Sequence, residues 1–395
     1  MLVQKYKDML SGKSVIRQLS EFATARGQEI GYENVFDYSL GNPSVPVPRE
    51  FTDRMIHMLA TKEPLELHGY SPSLGITSVR EAIAENLEKK FGLPYRKEHI
   101  FMASGAAGAL AHAFRLVTEP GDEILTFAPF FPEYHPYVDL TGAVLKVVPA
   151  DTKSFQINFE AFEEMLGPRV AAVLVNTPNN PSGAVYSAET LTKLAEVLTR
   201  KAEQYGHDIF LISDEPYREI VFDGKQQPYV SKFYANTISC YSFSKALSLP
   251  GERIGYLAVN PACPYAAEIV NMCGQISRGI GHNCPTSLMQ LAVSKVLDLT
   301  YDFSVYEKNR NLLYECLTDC GFEVVKPEGT FYIFPKAPEA DAAAFCQKAL
   351  QYDLVLVPAD SFGCPGYFRM AYCIDTEKVE RSLPVLRKMM KEIYG

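Results

Sequence analysis

The chain has 395 residues, of which 47% are hydrophobic, and its formal net charge at pH 7 is −9. This length and composition predict a large buried core, divided between two domains. The acidic balance and the lack of a basic run argue against nucleic acid as a partner, because proteins that bind it neutralise phosphates with clustered lysine and arginine. We therefore expect the ligand to be a small polar molecule.

The cysteine pattern and the N-terminus indicate a cytoplasmic protein. Nine cysteines are scattered along the chain, without a CxxC pair or a Cys/His ligand spacing, so we expect reduced thiols and no metal site. The N-terminal sequence "MLVQKYKDMLSGKS" has no apolar signal core. The longest apolar runs have the length of strands, and we expect neither export nor a membrane span.

The first segment of the chain predicts a helix over residues 14–31, followed by an extended stretch. From about residue 97, short apolar runs alternate with helical segments. The runs are "HIFMA", "EILTF", "VLKVV", "VAAVLVN", "DIFLIS", "TISCYS" and "GYLAV". This alternation predicts an α/β domain with a mostly parallel, seven-stranded sheet covered by helices.

After Pro285, a long helical pattern leads into strands near "FYIFP", "LVLVP" and "YFRMAYC". We place the domain boundary within that helix. The predicted large domain covers residues 48–292, and a smaller α/β domain combines residues 1–47 with residues 293–395. In parallel sheets, ligands bind at the carboxyl ends of the strands, so the residues that follow each run are the candidates for function.

The first candidate follows "HIFMA", where "SGAAGAL" places Gly105 at the start of a helix of small residues. Backbone N–H groups at such a helix start can bind a phosphate, although tight helix–sheet packing also explains the small residues. After "EILTF", the loop "APFFPEY" carries Phe131, which could cover a flat ring or belong to the core. After "VAAVLVN", Asn180 stands in an Asn-Pro turn. Such a turn could fix the direction of the side-chain amide, for example through a cis peptide bond, or it could be a plain turn without a role in binding.

Polar groups also follow the next two strands. Asp214 and Tyr217 follow "DIFLIS"; Asp214 either pairs with a cation or caps a helix. Lys245 follows "TISCYS" and is either a solvated surface group or a buried amine. Burial would lower the pKa of its amine from roughly 10.4, towards the range in which the free amine attacks a carbonyl. Ser242 and Arg253 flank Lys245 and can share a phosphate with the glycine turn.

A phosphate cradle, a stacking ring, a buried acid and an amine at successive strand ends are the parts that pyridoxal phosphate requires. The sequence also resembles the class I/II aminotransferases of fold type I, the aspartate aminotransferase superfamily, nearly from end to end. The matching motifs, in the order of that family, are "LGNPSVPVP", "GYSPSLGITSVREAIA", "SGAAGAL", "APFFPEY", "NTPNNPSG", "SDEPY", "SFSKALSLPGERIGY", "PEGTFYIFP" and "FGCPGYFRMAY".

The resemblance implies a role for each candidate around the cofactor ring. Lys245 forms the Schiff base, and Asp214 pairs with the protonated pyridine nitrogen. Tyr217 and Asn180 hold the phenolic oxygen, and Phe131 stacks on the ring.

The resemblance also implies a phosphate site and a substrate site. The phosphate is bound by the N–H groups of Gly105, Ala106 and Ala107, by Ser242 and Arg253, and by Tyr70 of the neighbouring subunit of a homodimer. Arg369, helped by the backbone of Gly41, binds the substrate α-carboxylate. The chain departs from the family in two places: "SGAAG" lacks the hydroxyl or amide side chain often found in this loop, and Ala359 replaces a common glycine.

The implied activity is transamination by a ping-pong mechanism, in which an L-amino acid and a 2-oxo acid react in turn. The same fold hosts C–S lyases and other reactions at the α-carbon, so these stay open as alternatives. A cofactor-sensing regulatory domain is a more distant alternative, since few residues precede "LGNP" to form a DNA-binding module.

The substrate is the least determined part of the site. Arg278 stands five residues before Asn283, the spacing at which aspartate-specific relatives place the arginine that binds the distal carboxylate across the dimer interface. A planar guanidinium suits a carboxylate, but an interface ion pair or a solvated arginine explains the residue equally. We expect an acidic or broad amino-acid donor with 2-oxoglutarate as acceptor, and an aromatic amino acid or alanine as the alternative donor.

Overall fold

The computed structural model describes residues 2–11, 14–299 and 302–395. The helices, in chain order, are α1 Gln4–Ser11, α2 Val15–Ile30, α3 Arg49–Thr61, α4 Pro64–His68, α5 Thr77–Phe91, α6 Gly105–Val117, α7 Tyr134–Asp139, α8 Phe159–Met165, α9 Ala188–Tyr205, α10 Phe243–Ala246, α11 Ala266–Gly279, α12 Ser287–Val293, α13 Ser304–Asp319, α14 Ala342–Ala349 and α15 Thr376–Tyr394. None of the helices in the described part of the chain combines the length and hydrophobicity needed to cross a membrane.

The strands, in chain order, are β1 Phe36–Asp37, β2 Ile100–Ala103, β3 Glu123–Phe127, β4 Val144–Val148, β5 Val170–Asn176, β6 Phe210–Asp214, β7 Thr237–Ser242, β8 Gly255–Val259, β9 Tyr332–Ile333, β10 Leu354–Val355, β11 Val357–Pro358 and β12 Phe368–Ala371. The described residues form two compact units. The small unit is Met1–Ser44, Pro181–Gly183 and Phe303–Gly395, and the large unit is Val45–Asn180 and Ala184–Asp302. The predicted domain bounds at residues 48 and 292 stay predictions.

Within the described residues of the large unit, seven strands form one sheet in the order β2-β8-β7-β6-β5-β3-β4. Strands β3 to β7 pair in parallel, whereas β8 is antiparallel to both β7 and β2. The prediction of a mostly parallel seven-stranded sheet is confirmed.

Successive side chains of the central strands enter different cores, which explains why these strands are apolar without alternation. Leu174 packs with α6, α7 and α11 on one face, while Val173 and Val175 pack with α8 and α9 on the other. Because neighbouring side chains of a strand point to opposite faces, a sheet covered on both faces needs apolar residues at every position.

The long helical pattern after Pro285 is wrong as a single helix, because α12 ends at Val293 and α13 begins at Ser304. Side chains of α5 bind the turn that follows α12. Lys90 Nζ donates to the Leu297 carbonyl at 3.1 Å, and Asn86 Nδ2 donates to Asp298 at 2.8 Å. These tertiary contacts compete with helix continuation, and no periodicity in the sequence reveals them.

The small unit has two sheets within its described residues. Strands β1 and β10 pair in parallel, and β11, β12 and β9 form an antiparallel sheet in that order. The helix predicted over residues 14–31 is confirmed as α2, Val15–Ile30.

Candidate active site

The candidate acid, amine and hydroxyl lie at the carboxyl edge of adjacent parallel strands of the large unit. Asp214 ends β6 and is paired in register with Asn176 of β5 on one side and Cys240 of β7 on the other. Ser242 ends β7, and Lys245 follows in the one-turn helix α10. The sheet thus brings together groups that are up to about 30 residues apart in the chain, at the edge where such sheets bind ligands.

Asp214 is a buried carboxylate with one oxygen available. The Tyr134 hydroxyl donates to Oδ2 at 2.6 Å, whereas Oδ1 has no hydrogen-bond partner among the residues that the structure describes. Burial raises the pKa of Asp214 to about 7; the hydrogen bond from Tyr134 opposes this rise and the charge of Glu215 adds to it. A buried carboxylate of this kind favours a cationic donor at Oδ1.

Asn176 connects two of the predicted site residues. Its Nδ2 donates to the Asp214 carbonyl at 2.9 Å, and its Oδ1 accepts from the Asn180 backbone N–H at 2.7 Å. Asn180 and Tyr217 are both buried. Among the described residues, cis peptide bonds precede Pro129 and Pro178, so the suggestion of a cis bond between residues 180 and 181 is wrong.

The Arg253 side chain approaches the backbone where α6 begins. Gly105 has a φ of +75°, and a Cβ at this position would lie 3.0 Å from Arg253 Nη2. Arg253 donates from Nη1 to the Pro250 carbonyl at 2.9 Å and from Nη2 to the Ser104 carbonyl at 3.4 Å. The guanidinium therefore lies beside the first N–H groups of α6, those of Gly105, Ala106 and Ala107, and both favour a phosphate.

The other large-unit candidates occupy different environments. Ser242 caps α10, since its Oγ accepts from the Ser244 N–H at 3.1 Å and donates to Ser244 Oγ at 2.6 Å. Lys245 is half-buried in α10. Phe131 is also half-buried, and its ring meets the Tyr134 ring edge to face with the centroids 5.7 Å apart.

Tyr70 and Arg278 are exposed on the large unit. Tyr70 is fully exposed and lines a cavity of about 860 Å³. Asn283, which stands five residues after Arg278 in the chain, lines the same cavity. Arg278 is exposed in the last turn of α11. Within this chain, neither side chain is buried as a ligand contact would be.

Arg369 and Gly41 belong to the small unit. The Arg369 guanidinium lies over the rings of Tyr332 and Phe362, 4.6 and 5.1 Å from their centroids, and Nη2 donates to the Ser39 carbonyl at 2.5 Å. A Cβ on Gly41 would collide with the Tyr332 hydroxyl, so a glycine is required there. Such enclosure orients the guanidinium and suits it to a carboxylate.

Ala359, the residue that replaces a common glycine, is fully buried in the small unit. Its φ is −101°, which any residue adopts, so alanine causes no backbone strain here.

Two positioning residues were missed by the sequence analysis, namely Tyr134 and Asn176. Tyr134 closes the motif "APFFPEY", and Asn176 is the one polar residue of the run "VAAVLVN". A polar residue at the end of a buried apolar strand is the signal that could have identified Asn176. Nothing in the sequence shows that Tyr134 reaches Asp214, because 80 residues separate them.

The chain is similar to known proteins over nearly its whole length. Residues 33–386 match the family model "Aminotransferase class I and II". The chain is 31% identical over 393 residues to a probable aspartate/prephenate aminotransferase of Aquifex aeolicus, covering 94% of this chain and 95% of the relative. It is 29% identical to aromatic-amino-acid aminotransferase 2 of Thermococcus litoralis, with 96% of each chain covered. A crystal structure of an amino transferase from Eubacterium rectale is 44% identical, covers both chains fully and superposes with a TM-score of 0.97.

Proposed function

The chain belongs to the class I and II aminotransferases, and from that membership we propose that it transfers the amino group of an acidic L-amino acid to 2-oxoglutarate by a ping-pong mechanism. The family uses pyridoxal phosphate. The observation that carries the assignment is the buried Asp214, whose Oδ1 lacks a hydrogen-bond partner among the described residues, at the sheet edge that also bears Lys245. The oxygen fits the protonated pyridine nitrogen of that cofactor.

Pyridoxal phosphate, when bound, supplies an aldehyde that bonds to an amine and a ring that withdraws electrons from the α-carbon of the substrate. Asp214 keeps the proton on the ring nitrogen. Tyr217 and Asn180 hydrogen-bond the phenolic oxygen, and Phe131 covers one face of the ring. The Lys245 amine holds the cofactor and, once the substrate amine has replaced it, accepts the α-proton at Nζ.

The phosphate is held at the start of α6. The N–H groups of Gly105, Ala106 and Ala107 donate to it, and Arg253 and Ser242 complete its ligands. For the Ser242 hydroxyl to donate to a phosphate oxygen, it must leave Ser244 Oγ, to which it now donates.

The working molecule is a homodimer in which Tyr70 binds the phosphate of the other subunit. Tyr70 is fully exposed, and Leu65 in the preceding helix α4 is 87% exposed. Both exposures support this proposal, since a second copy would bury both side chains. The described cysteines form no disulfide. Since free thiols are typical of a reducing environment, we also infer that the protein works in the cytoplasm.

Two arginines bind the carboxylates of the substrate. Arg369, enclosed by two aromatic rings, binds the α-carboxylate with the backbone of Gly41. Arg278 binds the distal carboxylate of aspartate or glutamate across the dimer interface. Its exposure within one chain is consistent with a partner across that interface, and several relatives carry the name aspartate aminotransferase.

The test is a panel of amino donors with 2-oxoglutarate, measured on the wild type, Arg278→Ala and Arg49→Ala. Loss of a bidentate pair costs roughly 2 to 4 kcal/mol, so kcat/KM of Arg278→Ala should fall on the order of 30- to 1000-fold for aspartate only. Glutamate, which would only regenerate 2-oxoglutarate in this panel, is measured with oxaloacetate as acceptor and should show the same loss. Arg49, whose side chain is 90% exposed, is the control for loss of a positive charge. An equal loss for alanine and phenylalanine would refute the role of Arg278, and a wild type that transfers no amino group would refute the activity.

A further inference from the structure

Tyr134 touches two of the groups assigned to the cofactor ring. It is the first residue of α7 and is fully buried. Its hydroxyl donates to Asp214 Oδ2 at 2.6 Å, and its ring meets Phe131 edge to face at an interplanar angle of 85°. Phe130 stacks on the Tyr134 ring with the centroids 6.4 Å apart. The ring is therefore held in place while its hydroxyl and its edge contact Asp214 and Phe131.

The hydrogen bond divides the Asp214 carboxylate into two different oxygens. Oδ2 is occupied by the Tyr134 hydroxyl, and Oδ1 has no partner among the residues described. A carboxylate that accepts a hydrogen bond is stabilised in its charged form, and a neutral donor achieves this without adding a charge. Oδ1 is left to accept from the ring nitrogen.

The other groups near Asp214 do not replace this donor. Tyr137 of α7 and Cys240 of β7 lie close enough to interact electrostatically with Asp214. In the described part of the chain, neither of them donates a hydrogen bond to its carboxylate. Glu215, which follows Asp214 just after the end of β6, would disfavour a second negative charge, but Arg218 donates to its Oε2 at 3.0 Å and Ser239 to its Oε1 at 2.9 Å. Burial raises the pKa of Tyr134 well above its usual value, so the hydroxyl keeps its proton.

We propose that Tyr134 is a positioning residue that keeps Asp214 ionised towards the pyridine nitrogen of pyridoxal phosphate and supports Phe131 against the same ring. This inference rests on the proposed function. The donor at Oδ2 makes the carboxylate a weaker base, so the proton between Asp214 and the ring nitrogen stays on the nitrogen. The inference assigns this effect to one buried side chain, that of Tyr134.

The experiment compares Tyr134→Phe, which keeps the ring and removes the hydroxyl, with Tyr137→Phe, which removes a half-buried hydroxyl one turn later. Each protein is loaded with pyridoxal phosphate that carries ¹⁵N in its ring, and the nitrogen resonance is recorded at neutral pH. In Tyr134→Phe, the resonance should move towards that of an unprotonated nitrogen, and pyridoxal phosphate should bind on the order of tenfold more weakly in a titration. Tyr137→Phe should match the wild type in both measurements.

An unchanged resonance and affinity in Tyr134→Phe, or equal changes in Tyr137→Phe, would overturn the inference. If the wild type forms no borohydride-reducible link to pyridoxal phosphate, the proposed function fails, and the inference with it, before any variant is compared. If Tyr134→Phe does not fold, 3-fluorotyrosine at position 134 provides a donor of nearly the same size and greater acidity. It should lower the pKa of ¹³C-labelled Asp214 in the cofactor-free chain, and an unchanged or raised value would overturn the inference.

Discussion

At the scale of single residues, the site depends on a carboxylate that is costly to bury. Asp214 is 5% exposed, and burial raises its pKa to about 7 from a usual value of 3.8. A raised pKa means that the folded chain binds more protons than the unfolded chain between these two values, so stability falls as pH rises through this range. A cationic partner at Oδ1 would offset that cost, which links the stability of the chain to its cofactor.

We therefore expect Asp214→Asn to stabilise the cofactor-free chain at pH 8, by up to about 4 kcal/mol, and to have little effect near pH 4. Asparagine keeps an acceptor for Tyr134 and removes the buried charge. Urea unfolding of both proteins without cofactor, at pH 4 and pH 8, measures the difference. A stabilisation of the same size at both pH values would show that ionisation of Asp214 is not its cause.

Lys245 is the residue that should hold the cofactor covalently. Lys245→Ala should still bind pyridoxal phosphate through the phosphate contacts, but borohydride should no longer fix the cofactor to the chain. Lys232→Ala, which removes an exposed lysine of the same unit, should be fixed like the wild type. Peptide mapping after reduction identifies the modified lysine, and a modified residue other than Lys245 would contradict the assignment.

At the scale of elements, the start of α6 is the part of the site with the strictest backbone requirement. Gly105 combines a positive φ with close approach to Arg253, and both follow from the turn that joins β2 to α6. Gly108, one turn later, lies inside the helix, where a Cβ would meet Ser104 Cβ at an ordinary 3.5 Å. The two glycines look alike in "SGAAGAL" and should respond to substitution in opposite ways.

Gly105→Ala should lower the free energy of unfolding by about 1–2 kcal/mol, because a side chain disfavours the left-handed conformation. It should also weaken binding of pyridoxal phosphate, since the new methyl group displaces Arg253. Gly108→Ala should instead stabilise the chain by about 0.5–1 kcal/mol, since alanine is the better helix former. Thermal unfolding and cofactor titration of both variants provide the comparison, and similar losses in the two would argue against a special role for Gly105.

At the scale of the whole molecule, the proposed dimer completes each site with Tyr70. Neither inactive Tyr70→Phe nor inactive Lys245→Ala should work alone. In a mixed dimer, one site would carry both changes and the other none, so mixing should restore part of the activity. Subunit exchange is confirmed with differently tagged chains, and exchange without recovery would count against a shared site.

The sequence alone determined the sheet and selected most of the candidate residues for the site. Runs such as "EILTF" and "TISCYS" match β3 and β7 residue for residue, because apolar strands bounded by turn residues carry their signal locally. The rule that ligands bind at the carboxyl ends of strands then selected Asp214 and Lys245. Their chemistry is readable from residue type and position in the strand order.

Tertiary structure decided what depends on contacts between distant segments. It decided that Tyr134 donates a hydrogen bond to Asp214 and that Asn176 accepts one from the backbone of Asn180. It also decided that the helical pattern after Pro285 is interrupted between α12 and α13, since side chains of α5 bind the intervening turn. It also decided which oxygen of Asp214 stays available and how deeply the carboxyl is buried, and that burial raises its pKa. Hydrogen bonds of this kind depend on the positions of atoms that folding alone brings together, and no local pattern of residues encodes them.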